Sequence, residues 1–482
     1  MTNINRRTFL ASALSAGGLA ATASILPWKL AQAAQHPGQP IVVNITLPGA
    51  PDMRHLFMPV FDANTTTLEY ALHQAHAKAG GVNPNDPSDL ARNWADNYVQ
   101  PDSQAPAQNF GIHANASWLR AQFNAGNVAI INNAYASTTR DHAYVQLIQA
   151  HGQFKPLNAG PINRLERFPG LGGKLAQINS TNVVDISSNP SNWCYSPGAS
   201  PTQRSLERCI HIANSRAGGV FTPNAGANNG QDRIARALSS LYAGKRDINA
   251  TASPEAVQGV LALDENIRAT AKILQDRFAL VSPALPAEIE ALLRNTGPLN
   301  SDGNLGLLIA NLHDSLISAD VLNTQLISMI YSRGWDSHQN QQASMERNLG
   351  NLFGEGSALN TLNDVVSPDI MDNVVIAIAG EFGRQIRAND GLGTDHGEGT
   401  HFILIGNRVN GGIYGDMFPE TEFDRLQNPN IATPDIDGRT HYNRIFEQLA
   451  EWVSPGSSPL ILDNGLNQLP IEQPGLLDNL LT

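Results

Sequence analysis

Four short, almost wholly apolar runs constrain this chain more than any other feature: Ile41-Val42-Val43-Asn44-Ile45-Thr46-Leu47, Asn127-Val128-Ala129-Ile130-Ile131-Asn132-Asn133, Asn373-Val374-Val375-Ile376-Ala377-Ile378-Ala379-Gly380 and His401-Phe402-Ile403-Leu404-Ile405-Gly406. Each is too short for a buried helix, rich in β-branched residues and bounded by Pro, Gly or polar residues, so each reads as a strand covered on both faces. Two further strands are expected, at 183–186 and 324–331. Helical spacing of apolar residues fills the intervals at 118–123, 305–318, 339–364 and 444–452. Strands alternating with helices predict an α/β fold, a three-layer sandwich with a largely parallel central sheet.

The intervening segments are less regular. Residues 82–109 are rich in Asn, Asp, Pro and Gln and read as a surface excursion. Residues 156–230 read as loop-dominated, and residues 253–294 as two or three helices punctuated by Pro283 and Pro286. The sequence therefore suggests one α/β domain over 34–482, elaborated at about 156–300.

Ahead of it, Asn5-Arg6-Arg7-Thr8-Phe9-Leu10 opens a weakly hydrophobic stretch that Pro27 closes, with Ala31-Gln32-Ala33 as a small-x-small cleavage site. This pattern reads as a twin-arginine signal peptide over 1–33, with the twin-arginine translocase as the export partner. The expected mature protein is periplasmic or secreted, is exported already folded and has no membrane span after cleavage. Removing the signal takes away three basic residues and no acidic ones, moving the formal charge from -12 to about -15. An acidic chain of this kind is not expected to bind nucleic acid. Cys194 and Cys209 are the two cysteines, and in an oxidising compartment they could close a loop of about 15 residues, with a pair of free thiols as the alternative.

Chemistry is expected where strands end, because ligands of open α/β sheets bind in the crevice outside the carboxyl ends of the strands. Asp52 follows the first run. Gly334-Trp335-Asp336-Ser337-His338 follows the strand at 324–331, and Glu381 closes the run at 373–380. Gly393-Thr394-Asp395-His396-Gly397 precedes the run at 401–406, which opens with His401. Carboxylates and neutral imidazoles are the ordinary ligands of zinc, manganese or iron, so one or two divalent ions are expected here. The flanking Gly393 and Gly397 would let the backbone carrying Asp395 and His396 come close to a ligand. A buried Glu381 needs a neutralising partner, either a metal or Arg384. The second strand leads into Ser137-Thr138-Thr139-Arg140-Asp141-His142, a further set of polar residues at a strand end.

These residues resemble the twin-arginine-exported proteins called domain of unknown function 1501, placed in the alkaline phosphatase superfamily. The resemblance rests on the signal segment, the Asp336 segment, Gly380-Glu381-Phe382-Gly383-Arg384, Gly393-Thr394-Asp395-His396-Gly397 and Gly411-Gly412-Ile413-Tyr414-Gly415-Asp416. About a third of the chain matches clearly. The resemblance implies an alkaline phosphatase-like sheet with two metals at its strand ends and a nucleophile facing a phosphate or sulfate. By position, Asp52 resembles the carboxylate shared between metals, Asp336, His338 and His396 one metal's ligands, and Glu381 the acid of the second. Asp395 and His401 would be reserve ligands or partners that orient the imidazoles.

The chain also departs from that pattern. Relatives commonly carry Asn-Asp-Gly-x-Asn after the first strand, where this chain has Pro51-Asp52-Met53-Arg54-His55. They carry Arg-Ser-His where it reads Arg140-Asp141-His142. The nucleophile position is thus an aspartate. Asp141 could attack directly, Thr139 could replace it, or metal-activated water could act with no covalent step; Asp141 and His142 could equally be further ligands or structural. Arg140 or Arg384 would clamp the anion. No Cys/Ser-x-Pro-x-Arg sequence is present, which disfavours a formylglycine sulfatase. The reading is an exported metal-dependent hydrolase of phosphate or related esters, with a non-catalytic binding or assembly protein on the same scaffold as the alternative and a purely structural surface protein behind both.

Overall fold

The computed structural model describes residues 38–102, 109–152, 168–187, 190–198, 204–216, 276–277, 284–294, 303–428, 430–462 and 469–482. The signal segment and most of the helical periodicity read at 253–283 lie outside the described residues. Residues 37–482 form one compact unit.

The apolar runs fold as strands of one sheet: β1 (Ile41–Thr46), β2 (Val128–Tyr135), β3 (Asn182–Ile186), β4 (Cys209–His211), β5 (Thr324–Ile330), β6 (Val374–Ala379), β7 (Thr400–Ile405), β8 (Gly412–Tyr414) and β9 (Thr440–His441). Their spatial order is β8-β2-β7-β6-β1-β5-β3-β4, with β9 also paired to β2. The sheet is mostly parallel, but β7 runs antiparallel to both its neighbours, β6 and β2. The expected parallel run is broken there for a topological reason. No crossover helix lies between β6 and β7; a hairpin of Arg384–Ala388 and Thr394–His396 connects them and turns the chain back.

Alternation along the strands divides the core in two. Val43, Ile45, Ile327, Met329, Ile376 and Ile378 enter one hydrophobic cluster. Their neighbours Val42, Leu326, Val375 and Ala377 enter the other, on the opposite face. The helix Gly303–Leu316 and the two that replace the single helix expected at 339–364, Gln341–Phe353 and Ala358–Val365, cover the first face. The helices His142–His151, Leu171–Asn179 and Tyr442–Val453 cover the second. The result is helix, sheet, helix.

The expected excursion at 82–109 holds a helix, Pro87–Asn97, and a short strand, Tyr98–Val99. Asp86 caps that helix and Pro87 fills its first position, but only Leu90 is buried along it, so no apolar stripe marked it in the sequence.

Register fixes the rim. Thr46 lies opposite both Ile330 and Ala379, so the chain leaves β1, β5 and β6 at one level. Because β7 is reversed, its first residue Thr400 pairs with Ala134 near the end of β2. The segments that follow β1, β2, β5 and β6 and the one that precedes β7 therefore emerge at the same edge.

Candidate metal centre

Three imidazoles and one carboxylate meet at this rim, delivered by three strand ends. His142 begins the helix after β2, where the Asp141 carboxylate caps the helix by accepting from the Tyr144 amide at 3.0 Å. Asp336 and His338 follow β5, and His396 closes the hairpin before β7. The Nε2 atom of His396 lies 3.1 Å from that of His142 and 2.9 Å from that of His338. Asp336 Oδ1 lies 3.1 Å from His338 Nε2 and 3.4 Å from His396 Nε2, and Asp336 Oδ2 lies 3.6 Å from His142 Nε2.

The opposite nitrogens explain what this convergence means. His142 Nδ1 faces the Glu381 carboxylate, His338 Nδ1 faces Asp395 Oδ1 at 2.8 Å, and His396 Nδ1 faces the Arg140 carbonyl at 3.0 Å. Every one of these partners is an acceptor, so each Nδ1 carries a proton, and in its neutral tautomer each ring would turn a bare Nε2 lone pair inward. In that state three lone pairs and a carboxylate repel one another; the Arg384 guanidinium, paired with Asp336 and 3.5 Å from His338 Nε2, offsets part of this and a metal ion would offset the rest. Ligands on tetrahedral zinc, with bonds of ~2.0–2.1 Å, stand about 3.3 Å apart, close to the separations here. The donor set fits a first-row divalent ion held by His142, Asp336 and His396, whose ligand atoms all lie within 4.8 Å of one another, with His338 Nε2 beside His396 and Asp336 as a further donor and Glu381, Asp395 and the Arg140 carbonyl orienting the rings.

The electrostatics favour the ligating forms of His396 and Asp336 and, without an ion, the protonated form of His142. Burial lowers the His396 pKa, and the nearby Arg384 charge adds to that, which favours the neutral ring. The Glu381 hydrogen bond raises that of His142 in spite of partial burial. Burial alone would raise the Asp336 pKa, but the Arg384 hydrogen bond and charge bring it below the ordinary value.

Several expected site residues do other work. Glu381 is fully buried, but it lies on the far side of His142 and accepts from the Gly49 amide at 2.9 Å and the Ala50 amide at 3.1 Å. Arg384 does not neutralise Glu381; it pairs with Asp336 and donates to the Ala50 carbonyl at 2.7 Å and the Thr394 carbonyl at 2.9 Å. A buried guanidinium so engaged is not free to clamp an anion. Arg140 is more exposed, but it pairs with Asp435. Gly49 is required where it stands: its φ is +109°, and a Cβ there would lie 2.6 Å from the Asp336 amide nitrogen.

Asp52 and His401 do not reach the cluster. Asp52 accepts from His76 Nε2 at 2.8 Å, Gln341 Nε2 at 2.7 Å and Thr394 Oγ1 at 3.2 Å, and it caps the short helix Met53–Leu56. Burial works against its charge, yet His76 holds its pKa below the carboxylate range. His401 is buried edge-on to Phe57, with neither ring nitrogen hydrogen-bonded. Asp141 is an exposed helix cap, and the Thr139 amide bonds to Ser137 Oγ at 3.3 Å. Cys194 and Cys209 are free thiols, although their sulfurs lie within 4.8 Å of each other and of Asp185.

Sequence reading missed Asn389, whose side-chain amide donates to Asp395 at 2.9 Å and to the His338 carbonyl at 3.1 Å. It also missed Gln146, which donates to Glu381 at 3.3 Å. Neither stands in a motif that marks it.

Residues 323–436 match the model of a family described as protein of unknown function (DUF1501). That stretch carries Asp336, His338, Glu381, Arg384, Asp395 and His396, and supports the family for this part of the chain. His142 lies outside it. No curated protein matches the chain.

Proposed function

We propose that this protein is an exported, metal-dependent hydrolase of phosphate or related esters on an alkaline phosphatase-like scaffold. The observation that carries the proposal is the inward convergence of the His142, His338 and His396 Nε2 atoms on Asp336, each ring fixed by an acceptor behind it. A divalent ion bound there would supply Lewis acidity to polarise an ester oxygen and to acidify water.

The chain's own residues supply the rest. Arg384 holds Asp336 in place against the Gly49–Ala50 turn, so the carboxylate is positioned before any ion or substrate arrives. The Asp336 side chain is 45% exposed, which leaves the centre open to solvent on one side. Thr139 and Asp141, close in sequence to the ligand His142, remain the side chains available for a covalent step. The export assignment rests on the Arg6-Arg7 segment.

A second reading, a non-catalytic exported binding protein, draws on the engagement of Arg384 and Arg140 in ion pairs and of Asp141 in a helix cap. Both readings predict near-stoichiometric zinc, manganese or iron in the purified mature protein. A panel of phosphomonoesters, diesters and sulfate esters separates them. Hydrolysis that falls at least ~100-fold in His396→Ala supports the hydrolase. Turnover untouched by that change would overturn it, and a loaded but inert protein would favour the binding reading.

A further inference from the structure

A second cluster of histidines lies away from the rim, in a small cavity between four elements. His55 comes from the helix Met53–Leu56, His76 from the end of the helix Leu68–His76, His113 from the end of the strand Phe110–His113, and Glu346 from the helix Gln341–Phe353. With His73 and Tyr98 they line a space with room for about one water-sized sphere.

His55 is the anomaly. Its residue is 2% exposed, and neither ring nitrogen has a hydrogen-bond partner. A buried polar group left in that state is destabilising unless something fills the gap. Its ring stacks on His113 with centroids 5.3 Å apart. One ligand atom each from His55, His113 and Glu346 lie within 4.8 Å of one another, and His113 Nε2 stands 4.0 Å from Glu346 Oε1. That is too long for a hydrogen bond and suitable for two ligands of one ion.

We propose that His55, His113 and Glu346 form a second divalent-metal site, of nitrogen-and-oxygen zinc chemistry, separate from the rim centre. An ion there gives one of the two orphaned His55 ring nitrogens a partner and balances the Glu346 carboxylate, which lies 4.0 Å from His113 Nε2. Ligation through His113 Nε2 moves that ring's proton to Nδ1. The 3.2 Å contact that Nδ1 accepts from the Asn115 amide is given up in exchange.

The neighbouring histidines are arranged as a surround. His73 Nε2 donates to the Pro59 carbonyl at 2.7 Å and His76 Nε2 to Asp52 Oδ2 at 2.8 Å, so both rings are held in the cavity wall by acceptors behind them. Such an ion would tie two helices and a strand end together near Asp52, a structural role requiring no catalysis.

The inference stands independently of the ester-hydrolysis reading, and a zinc titration distinguishes the two. The full mature chain is stripped with chelator, titrated with zinc(II) alone, and its content read after gel filtration; cobalt(II) absorption reports ligand geometry. Wild type is expected to hold about two ions per chain, and Glu346→Gln and His55→Gln about one each. His396→Ala is expected to lose the other ion and keep this one. Glu346 is partly exposed and its amide variant nearly isosteric, so Glu346→Gln gives the answer even where His55→Gln fails to fold. Uptake that is the same in wild type and in folded Glu346→Gln would overturn the second site, leaving a water-filled cavity. Uptake of one ion, lost in Glu346→Gln and indifferent to His396→Ala, would sustain this site and sink the rim centre instead.

Discussion

Asp395 accepts from His338 at 2.8 Å and from Asn389 at 2.9 Å, and it touches the proposed ion only through the imidazole. Burial alone would raise its pKa, but hydrogen bonds from His338 and Asn389 hold it down, so the carboxylate stays charged and keeps the proton on His338 Nδ1. Asp395→Asn keeps the shape and removes the charge. Its side chain is nearly half exposed, so folding should be spared while zinc affinity falls about 10–100-fold; unchanged affinity by competition with a chelating dye would show that the carboxylate does not orient the ring. The Asp-x-His and Asp-His pairs of this centre were legible because each adjoins a strand end. His142 was harder to place, since its sequence neighbours Arg140 and Asp141 suggested a nucleophile segment and only the turn after β2 aims its ring inward. The His55, His113 and Glu346 set left no trace in the sequence, because its members are scattered over three elements with no local spacing to read.

At the level of elements, the strands announced themselves. A run such as β1 is buried on both faces, so it needs no alternation and can be seen from composition alone. Ile45 shows what those runs contribute. It is fully buried in the first-face cluster, in the strand flanked by β5 and β6, and Ile45→Ala should cost roughly 2–5 kcal/mol in denaturant unfolding. A loss below about 1 kcal/mol would mean that the sheet repacks around the hole and that β1 is not its fixed centre. Strand direction was not legible, because parallel and antiparallel strands share one composition. The reversal of β7 depends on the length and shape of the hairpin before it, and the same reversal brings His396 to the rim. The Pro87–Asn97 helix escaped notice for the complementary reason: its capping residues were present, but it offers almost no apolar face.

Across the whole molecule, the buried histidines set the response to acid. Burial lowers the pKa of His73 to about 4, of His151 to about 3 with help from Lys174 and Arg204, and of His441 to about 4, all well below their unfolded value. Below pH ~6.5 the unfolded chain takes up protons at these sites that the folded chain refuses, so stability is complete above that pH and is lost as pH falls toward ~4. Each such group contributes a slope of about 1.4 kcal/mol per pH unit inside the window. The apo protein, held in chelator so that no bound ion contributes, should therefore melt at its highest temperature near neutrality and lose stability steeply between pH 6.5 and 4. The carboxylates Asp52 and Glu381, with folded pKa values lowered, add their own loss only below about pH 4. His151 isolates the effect, being buried with neither ring nitrogen hydrogen-bonded and lying outside both proposed metal sites. His151→Leu should leave stability at pH 7.5 within about 1 kcal/mol of wild type and reduce the slope between pH 6 and 4 by roughly one proton's worth. An unaltered slope in that variant would show that burial does not lower the His151 pKa, and the acid sensitivity between pH 6 and 4 would then rest on His73 and His441.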